Sequence, residues 1–204
     1  MLLPVALDVA GRSVLIVGGG AVAARKASAF LESGALVTVV SPALSENFPQ
    51  PVQHLARQFA TGDLDGFSLV LACTNSREVN AKIASVAKER GIWCNIADAP
   101  QDSDFHTASV IRRGEIAVGV STGATSPILA RFVRQKIEAA LSGELETLLE
   151  IAGSYHIPTE MRGDFWRQLL QSEILSLLNH GQRDAAALLF EKLLADVSRG
   201  AQAS

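Results

Sequence analysis

Between Ser13 and Lys26 the chain leaves little choice of fold. Val14, Leu15, Ile16 and Val17 run straight into Gly18, Gly19 and Gly20, and an alanine-rich segment with Arg25 and Lys26 follows. A continuous apolar run of this length reads as a strand covered on both faces, so the stretch predicts a strand, a tight turn and a helix N-terminus. Gly18, Gly20 and Ala23 have the spacing G-x-G-x-x-A. In that pattern the first small residue permits the turn, the second lets backbone approach a pyrophosphate, and the third lets helix and strand pack closely. Free N–H groups and the dipole of the first helical turn then face the phosphate charge. No Gly-Lys-Ser/Thr follows the glycines, which excludes a P-loop. Dinucleotide binding by Gly18, Gly19, Gly20, Ala21, Val22 and Ala23 is the expectation.

The next residues complete a βαβ unit. Ala21 to Ser33 has helical spacing, with Val22, Ala29 and Phe30 able to share one side and Gly34 to end it, and Ala35 to Val40 is a second apolar strand. Ser41 and Pro42 stand where many NAD-binding folds carry an Asp or Glu for the ribose hydroxyls. Ser41 can give or take one hydrogen bond there. Glu46 but no Lys or Arg lies between Ser41 and Gln53, which favours NAD over its 2′-phosphorylated form. A third short strand is expected over Val52 to Phe59 and a fourth at Ser68 to Ala72. Thr74, Asn75 and Ser76 then lead into a helix from Arg77 to Arg90, closed by Gly91. Ligands of a doubly wound sheet gather beyond the carboxyl ends of its strands, so Thr74 and Asn75 share a mouth with the end of a fifth strand, Ile92 to Ile96. Past that strand comes Asp98, ahead of Pro100. Asp98 reads either as a turn residue or as a carboxylate presented beside the nicotinamide.

From Thr107 the pattern changes. Ala108 to Ile111 and Ile116 to Val120 predict an antiparallel hairpin joined by Arg112, Arg113, Gly114 and Glu115. A polar loop, Ser121 to Pro127, enters a helix with Ser126 as N-cap and Pro127 at its first position. Ile128, Leu129, Phe132, Val133, Ile137, Ala140 and Leu141 make an apolar stripe opposite Arg131, Arg134 and Lys136. Beyond Gly143 only helices are expected: Glu144 to Tyr155, Met161 to His180 and Asp184 to Ser198, with Arg199 to Ser204 frayed.

With 204 residues, 48% of them hydrophobic, and a net charge of −3, the chain can bury a full core. Its mild acidity gives no footprint for nucleic acid, and its N-terminus lacks both a basic start and an apolar run long enough for a membrane, so a cytoplasmic protein is expected. Cys73 and Cys94 are too few and too far apart for a disulfide scaffold or a four-ligand metal site. Buried free thiols and no bound metal are the expectation.

Four blocks taken together resemble one family, the precorrin-2 dehydrogenases, which also occur as the dehydrogenase and ferrochelatase part of sirohaem synthases. The blocks are Val17 to Lys26, Val39 to Pro42, Cys94 to Asp98, and Val120 to Arg131; the likeness covers Leu2 to Leu141 well and the helical tail loosely. The resemblance implies an α/β chain in three parts: a Rossmann-like parallel sheet binding NAD in residues 1–106, a small α+β dimerisation region of hairpin plus helix in 107–143, and a helical C-terminal domain in 144–204. It implies a homodimer that oxidises precorrin-2 to sirohydrochlorin, with NAD accepting the hydride. Some members of the family also insert ferrous iron to give sirohaem.

Asp98 aligns with the essential catalytic residue of that family. A carboxylate there could take the ring proton that leaves with the hydride, or could orient the tetrapyrrole. The substrate carries eight carboxylates, so Arg112, Arg113 and Arg131 are candidate contacts, joined by Asn95, Ser121 and Thr122. Thr122 and Ala124 depart from a Ser-Ser-Gly-Gly pattern of fused bacterial members, and a phosphoserine described for that loop would fall on Thr122. His106 is a candidate iron-facing group with a plain alternative as a structural loop histidine. A non-catalytic NAD-sensing module would need the glycine turn but neither Asp98 nor the 121–131 loop. A short-chain dehydrogenase is excluded because Tyr155, the single tyrosine, is followed four residues later by Thr159 instead of lysine.

Overall fold

Alternation along β1 (Ser13–Val17) builds both layers of a sheet. Val14 and Ile16 face one side, Leu15 and Val17 the other, and all four are buried. The computed structural model describes residues 2–202. Its parallel sheet adds β2 (Leu36–Val40), β3 (Gln53–Leu55), β4 (Leu69–Ala72) and β5 (Trp93–Ile96) in the order β3-β2-β1-β4-β5. The third strand is shorter than expected and pairs with β2 only through Gln53 to Leu55. Strand order reverses beside β1, where the chain crosses from β3 at one edge to β4 on the other side, and the carboxyl ends of β1 and β4 open a crevice there.

Helix α1 (Ala21–Glu32) covers the Val14 and Ile16 face, and α2 (Arg77–Glu89) covers the Leu15 and Val17 face with Ile83 and Ala87. The inward row of α1 differs from the expected one. Ala23, Ala27 and Phe30 are buried, whereas Val22 is 39% exposed. Close helix–strand contact requires a small residue at position 23, and that requirement sets the rotation of the whole helix.

The chain divides into two compact units, residues 1–107 with 123–125 and residues 108–122 with 126–204. In the second unit β6 (Ser109–Arg113) pairs antiparallel with β7 (Ile116–Val120). Arg112 and Arg113 are therefore strand residues, not part of the connection, and the turn is Gly114-Glu115 with Gly114 at φ +53°. Helix α3 (Pro127–Ala140) begins as expected, the Ser126 hydroxyl accepting the Leu129 N–H at 3.1 Å. The first part of its apolar stripe is uncovered among the described residues: Ile128, Leu129, Phe132 and Val133 are exposed, Ile137 and Leu141 are half-buried, and Ala130 is buried.

Helices α4 (Glu144–Gly153), α5 (Arg162–Gln171), α6 (Ile174–Asn179) and α7 (Arg183–Gln202) complete that unit. The single helix expected from Met161 to His180 is broken after Gln171. There the Ser172 hydroxyl donates to the Leu169 carbonyl at 2.6 Å and accepts the Ile174 N–H at 3.2 Å, an alternative to the helical ladder. Arg199 is still helical, and Ala203 and Ser204 lie outside the described residues. Among the described residues no helix is long and apolar enough to cross a membrane.

Phe165, Leu169, Ile174 and Phe190 are fully buried, and the rings of Phe165 and Phe190 meet edge to face with centroids 4.9 Å apart. Phe190→Ala is expected to destabilise the helical unit by about 3–5 kcal/mol. Denaturant unfolding followed by circular dichroism measures this, and a loss near zero would mean that the cluster does not carry the unit.

Candidate functional site

The turn after β1 is crowded on one side and open on the other. Gly18 sits at φ +120°, and a Cβ there would run into the backbone carbonyl of Cys73. At Gly19 a Cβ would collide with the Ala43 carbonyl. Gly20 is different: its φ of −84° suits any residue, and a Cβ would meet nothing within 4 Å. Neither backbone strain nor protein packing accounts for glycine at position 20. The open side is a cavity of about 880 Å³, within the size range of small-molecule sites.

That cavity spans the carboxyl ends of three strands. Gly18 to Val22 line it from β1 and α1, Ser41 and Pro42 from β2, and Thr74 and Asn75 from β4. Nine of the ten residues expected to bind a nucleotide are thus brought together. The tenth, Ala23, is buried beneath α1 in contact with the sheet and serves packing. Helix α1 has no side-chain cap and no acidic residue in its first turn, so its N–H groups and dipole end are offered to an anion. The described lining includes no carboxylate and one cation, Lys82. Lys82 lies eight residues beyond Thr74, on α2, outside the Ser41 to Gln53 segment. Ser41 is buried, and its hydroxyl donates to the Ala43 carbonyl at 2.8 Å, which shapes the loop over Gly19.

Asp98 follows β5 directly. The Ala97 N–H donates to the Ala72 carbonyl at 2.9 Å, which fixes the end of β5 against the end of β4. The Asp98 side chain is exposed and accepts a hydrogen bond from the Asn80 side-chain amide at 2.8 Å. Asn80 was not anticipated. It is 1% exposed on the inner row of α2, where Ile83 and Ala87 predict another apolar residue; that break in the apolar row was the available signal.

Asn95, expected as a substrate contact, is instead buried and hydrogen-bonded on both sides of its amide. Its carbonyl oxygen accepts from Lys26 Nζ at 2.7 Å, and its amide donates to the Phe105 carbonyl at 2.7 Å. Lys26 also donates to the Thr107 hydroxyl at 3.2 Å. Burial lowers the Lys26 pKa from the ordinary lysine value, and the nearby Cys73 thiol works against that shift. His106 is likewise tied back, its Nε2 lying 3.0 Å from the Pro100 carbonyl oxygen.

The remaining expected substrate contacts belong to the second unit. Arg113 pairs with Glu138 at 3.8 Å, Arg112 and Arg131 are exposed, Ser121 is exposed, and the Thr122 hydroxyl donates to the Ser126 carbonyl at 3.0 Å.

A sequence profile described as putative NAD(P)-binding matches residues 5–109. The chain belongs to this NAD(P)-binding family. Among its relatives is the siroheme synthase of Thioalkalivibrio sulfidiphilus, 39% identical over 203 residues that cover 94% of this chain and 42% of that protein. The siroheme synthase of Photorhabdus laumondii is 35% identical over 204 residues, 94% of this chain and 43% of that protein. The chain therefore spans less than half the length of these curated relatives. Its fold matches that of SirC, precorrin-2 dehydrogenase, with a TM-score of 0.75 and 23% identity, covering 94% of this chain and all of that one.

Gly20→Asp is expected to weaken NAD binding by more than about tenfold, since an added carboxylate faces the anion site, while the melting temperature hardly moves. Titration calorimetry and thermal unfolding of one preparation check both, and unchanged affinity would displace the site. The thiols give a second measurement. Burial pushes Cys73 up to about 11, with Lys26 partly opposing it, and Cys94 up to about 12. Both are therefore protonated at pH 8 in the folded protein. A disulfide reagent at that pH is expected to label neither cysteine quickly, and to label both once the chain is denatured.

Proposed function

We propose that the chain performs the NAD-dependent dehydrogenation of precorrin-2 to sirohydrochlorin. One observation carries the reading: an exposed carboxylate, Asp98, closes the strand beside β4, and the Asn80 side chain ties it to Thr74 on the wall of the nucleotide cavity. The relatives' names and the SirC-like fold support the same assignment.

The residues present fit the cofactor. The room above Gly20 and the uncapped N–H groups of α1 would hold its diphosphate, Ser41 and Pro42 would border its adenosine ribose, and Thr74 and Asn75 would border its nicotinamide half. Bound NAD supplies the hydride acceptor. Loss of a hydride from the macrocycle must be matched by loss of a proton, and Asp98 offers a carboxylate oxygen to accept it. Its bond from Asn80 occupies Oδ1, leaving Oδ2 for that proton.

In this reading Arg112, Arg113 and Arg131, with Ser121 and Thr122, receive the acidic rim of the substrate, and ferrous iron is a second substrate after dehydrogenation. Residues 107–143 form the dimerisation region of a homodimer, with the exposed row Ile128, Leu129, Phe132 and Val133 as its apolar surface. Two buried free thiols suit a cytoplasmic site of action.

An anaerobic assay with precorrin-2 and NAD, followed by ferrous iron, tests the assignment, with sirohydrochlorin and then sirohaem read by absorbance. Asp98→Asn is expected to keep NAD affinity within about threefold while turnover falls by about a hundredfold or more, the usual scale of a lost acid–base group. Full turnover in that variant would remove Asp98 from the chemistry.

A further inference from the structure

Asn80 is the most completely engaged buried polar side chain near the cavity. Its Oδ1 accepts from the Thr74 N–H at 3.1 Å and from the Thr74 hydroxyl at 2.7 Å. Its Nδ2 donates to the Thr74 carbonyl at 3.1 Å and to Asp98 Oδ1 at 2.8 Å. Both acceptor sites and both hydrogens of the amide are thereby used, and the residue is 1% exposed.

The arrangement exceeds what packing on α2 needs. An apolar side chain would fill the row with Ile83 and Ala87 without the cost of burying an amide. Capping does not require it either, because the Ser76 hydroxyl already accepts the Val79 N–H at 3.3 Å. Three of the four bonds clasp one residue of the cavity wall, and the fourth reaches an exposed carboxylate just past the next strand. We propose that Asn80 is a positioning residue: it sets Asp98 relative to the Thr74 wall of the nucleotide site, so that one carboxylate oxygen is held and the other presented to substrate.

A neutral amide is the side chain that can do both tasks. It bonds the carboxylate without neutralising it, as a buried lysine or arginine would, and it offers Thr74 a donor and an acceptor together. Asn80→Asp keeps the two acceptor bonds from Thr74 but sets a second carboxylate against Asp98, so the pair must share a proton or repel. Asn80→Ala removes all four bonds.

The inference rests on the dehydrogenase reading, and a double-mutant cycle separates their failures. Asn80→Ala, Asp98→Asn and the double variant are assayed for precorrin-2 turnover, with NAD affinity measured by titration and folding by thermal unfolding. Asn80→Ala is expected to lower kcat at least tenfold in the presence of Asp98 and less than threefold in the Asp98→Asn background, because only a functioning carboxylate benefits from being aimed. Equal losses in the two backgrounds would make Asn80 merely structural and overturn the proposal while leaving the reading of Asp98 intact. Full turnover by Asp98→Asn, or none by the unaltered protein, would overturn both. Should Asn80→Ala not fold, Asn80→Asp decides: kcat falling at least tenfold further than NAD affinity supports the proposal, and equal falls overturn it.

Discussion

The structure depends on how near the backbone of one turn comes to the ends of its neighbouring strands. At Gly18 and Gly19 the chain leaves β1 so close to the carbonyls of Cys73 and Ala43 that no side chain fits between them. This contact is purely steric, yet it has two directional consequences. It aims α1 so that its uncapped end faces the crevice, and it draws the loops after β2 and β4 together around that end. The hydrogen bonds from the Gly18 N–H to Val40 and from the Ser45 N–H to Gly19, at 2.9 and 2.7 Å, record the same closeness. The cavity is thus a by-product of strand packing, and its one unexplained feature, the open space above Gly20, is where a ligand has room to approach.

Polar burial around this turn is sparse and paired. Asn80 lies on the side of the sheet covered by α2, and Asn95 faces the side covered by α1, and each joins the end of a strand to something distant in sequence. Asn95 with Lys26 links α1 to β5 and to the chain leaving it at Phe105 and Thr107. Both amides are satisfied, and among the described residues no buried side-chain polar atom lacks a partner. A fully satisfied network rigidifies, because loosening any one bond leaves a desolvated group unpaired.

Legibility in the sequence follows the range of the interactions concerned. The glycine turn, the Ser76 and Ser126 caps and the hairpin are decided within a few residues, and each is readable from local spacing. The inner row of α1 is not, since Ala23 against β1 outweighs the larger Val22 only once the strand is in place. Asn80 and Lys26 escaped for the same reason: their partners Asp98 and Asn95 are 18 and 69 residues away. Asn95 shows the converse error. Strand alternation turns it toward α1 and buries it, while Cys94 and Ile96 face the opposite layer. At Ser172 a serine inside an apolar helical pattern concealed a stop, because a hydroxyl can replace the ladder hydrogen bonds it interrupts.

Exposure and burial are divided between neighbouring residues in a way that suits chemistry on a large substrate. In the proposed reaction a carboxylate that meets a macrocycle has to stand in the open, where its rotamer freedom would blur its aim. Burying the carboxylate itself would fix it but would disfavour its charged form. Placing the rigidity in a neutral neighbour avoids that conflict: Asn80 can be buried at the cost of four hydrogen bonds, all of which it makes. Lys26 illustrates the alternative across the sheet, where a charged group is held by the neutral oxygens of Asn95 and Thr107 and its protonated form is disfavoured by burial. The neutral amide is the residue that bonds the exposed acid, whereas the penalised cation bonds neutral oxygens, so rigidity beside Asp98 comes without a second buried charge.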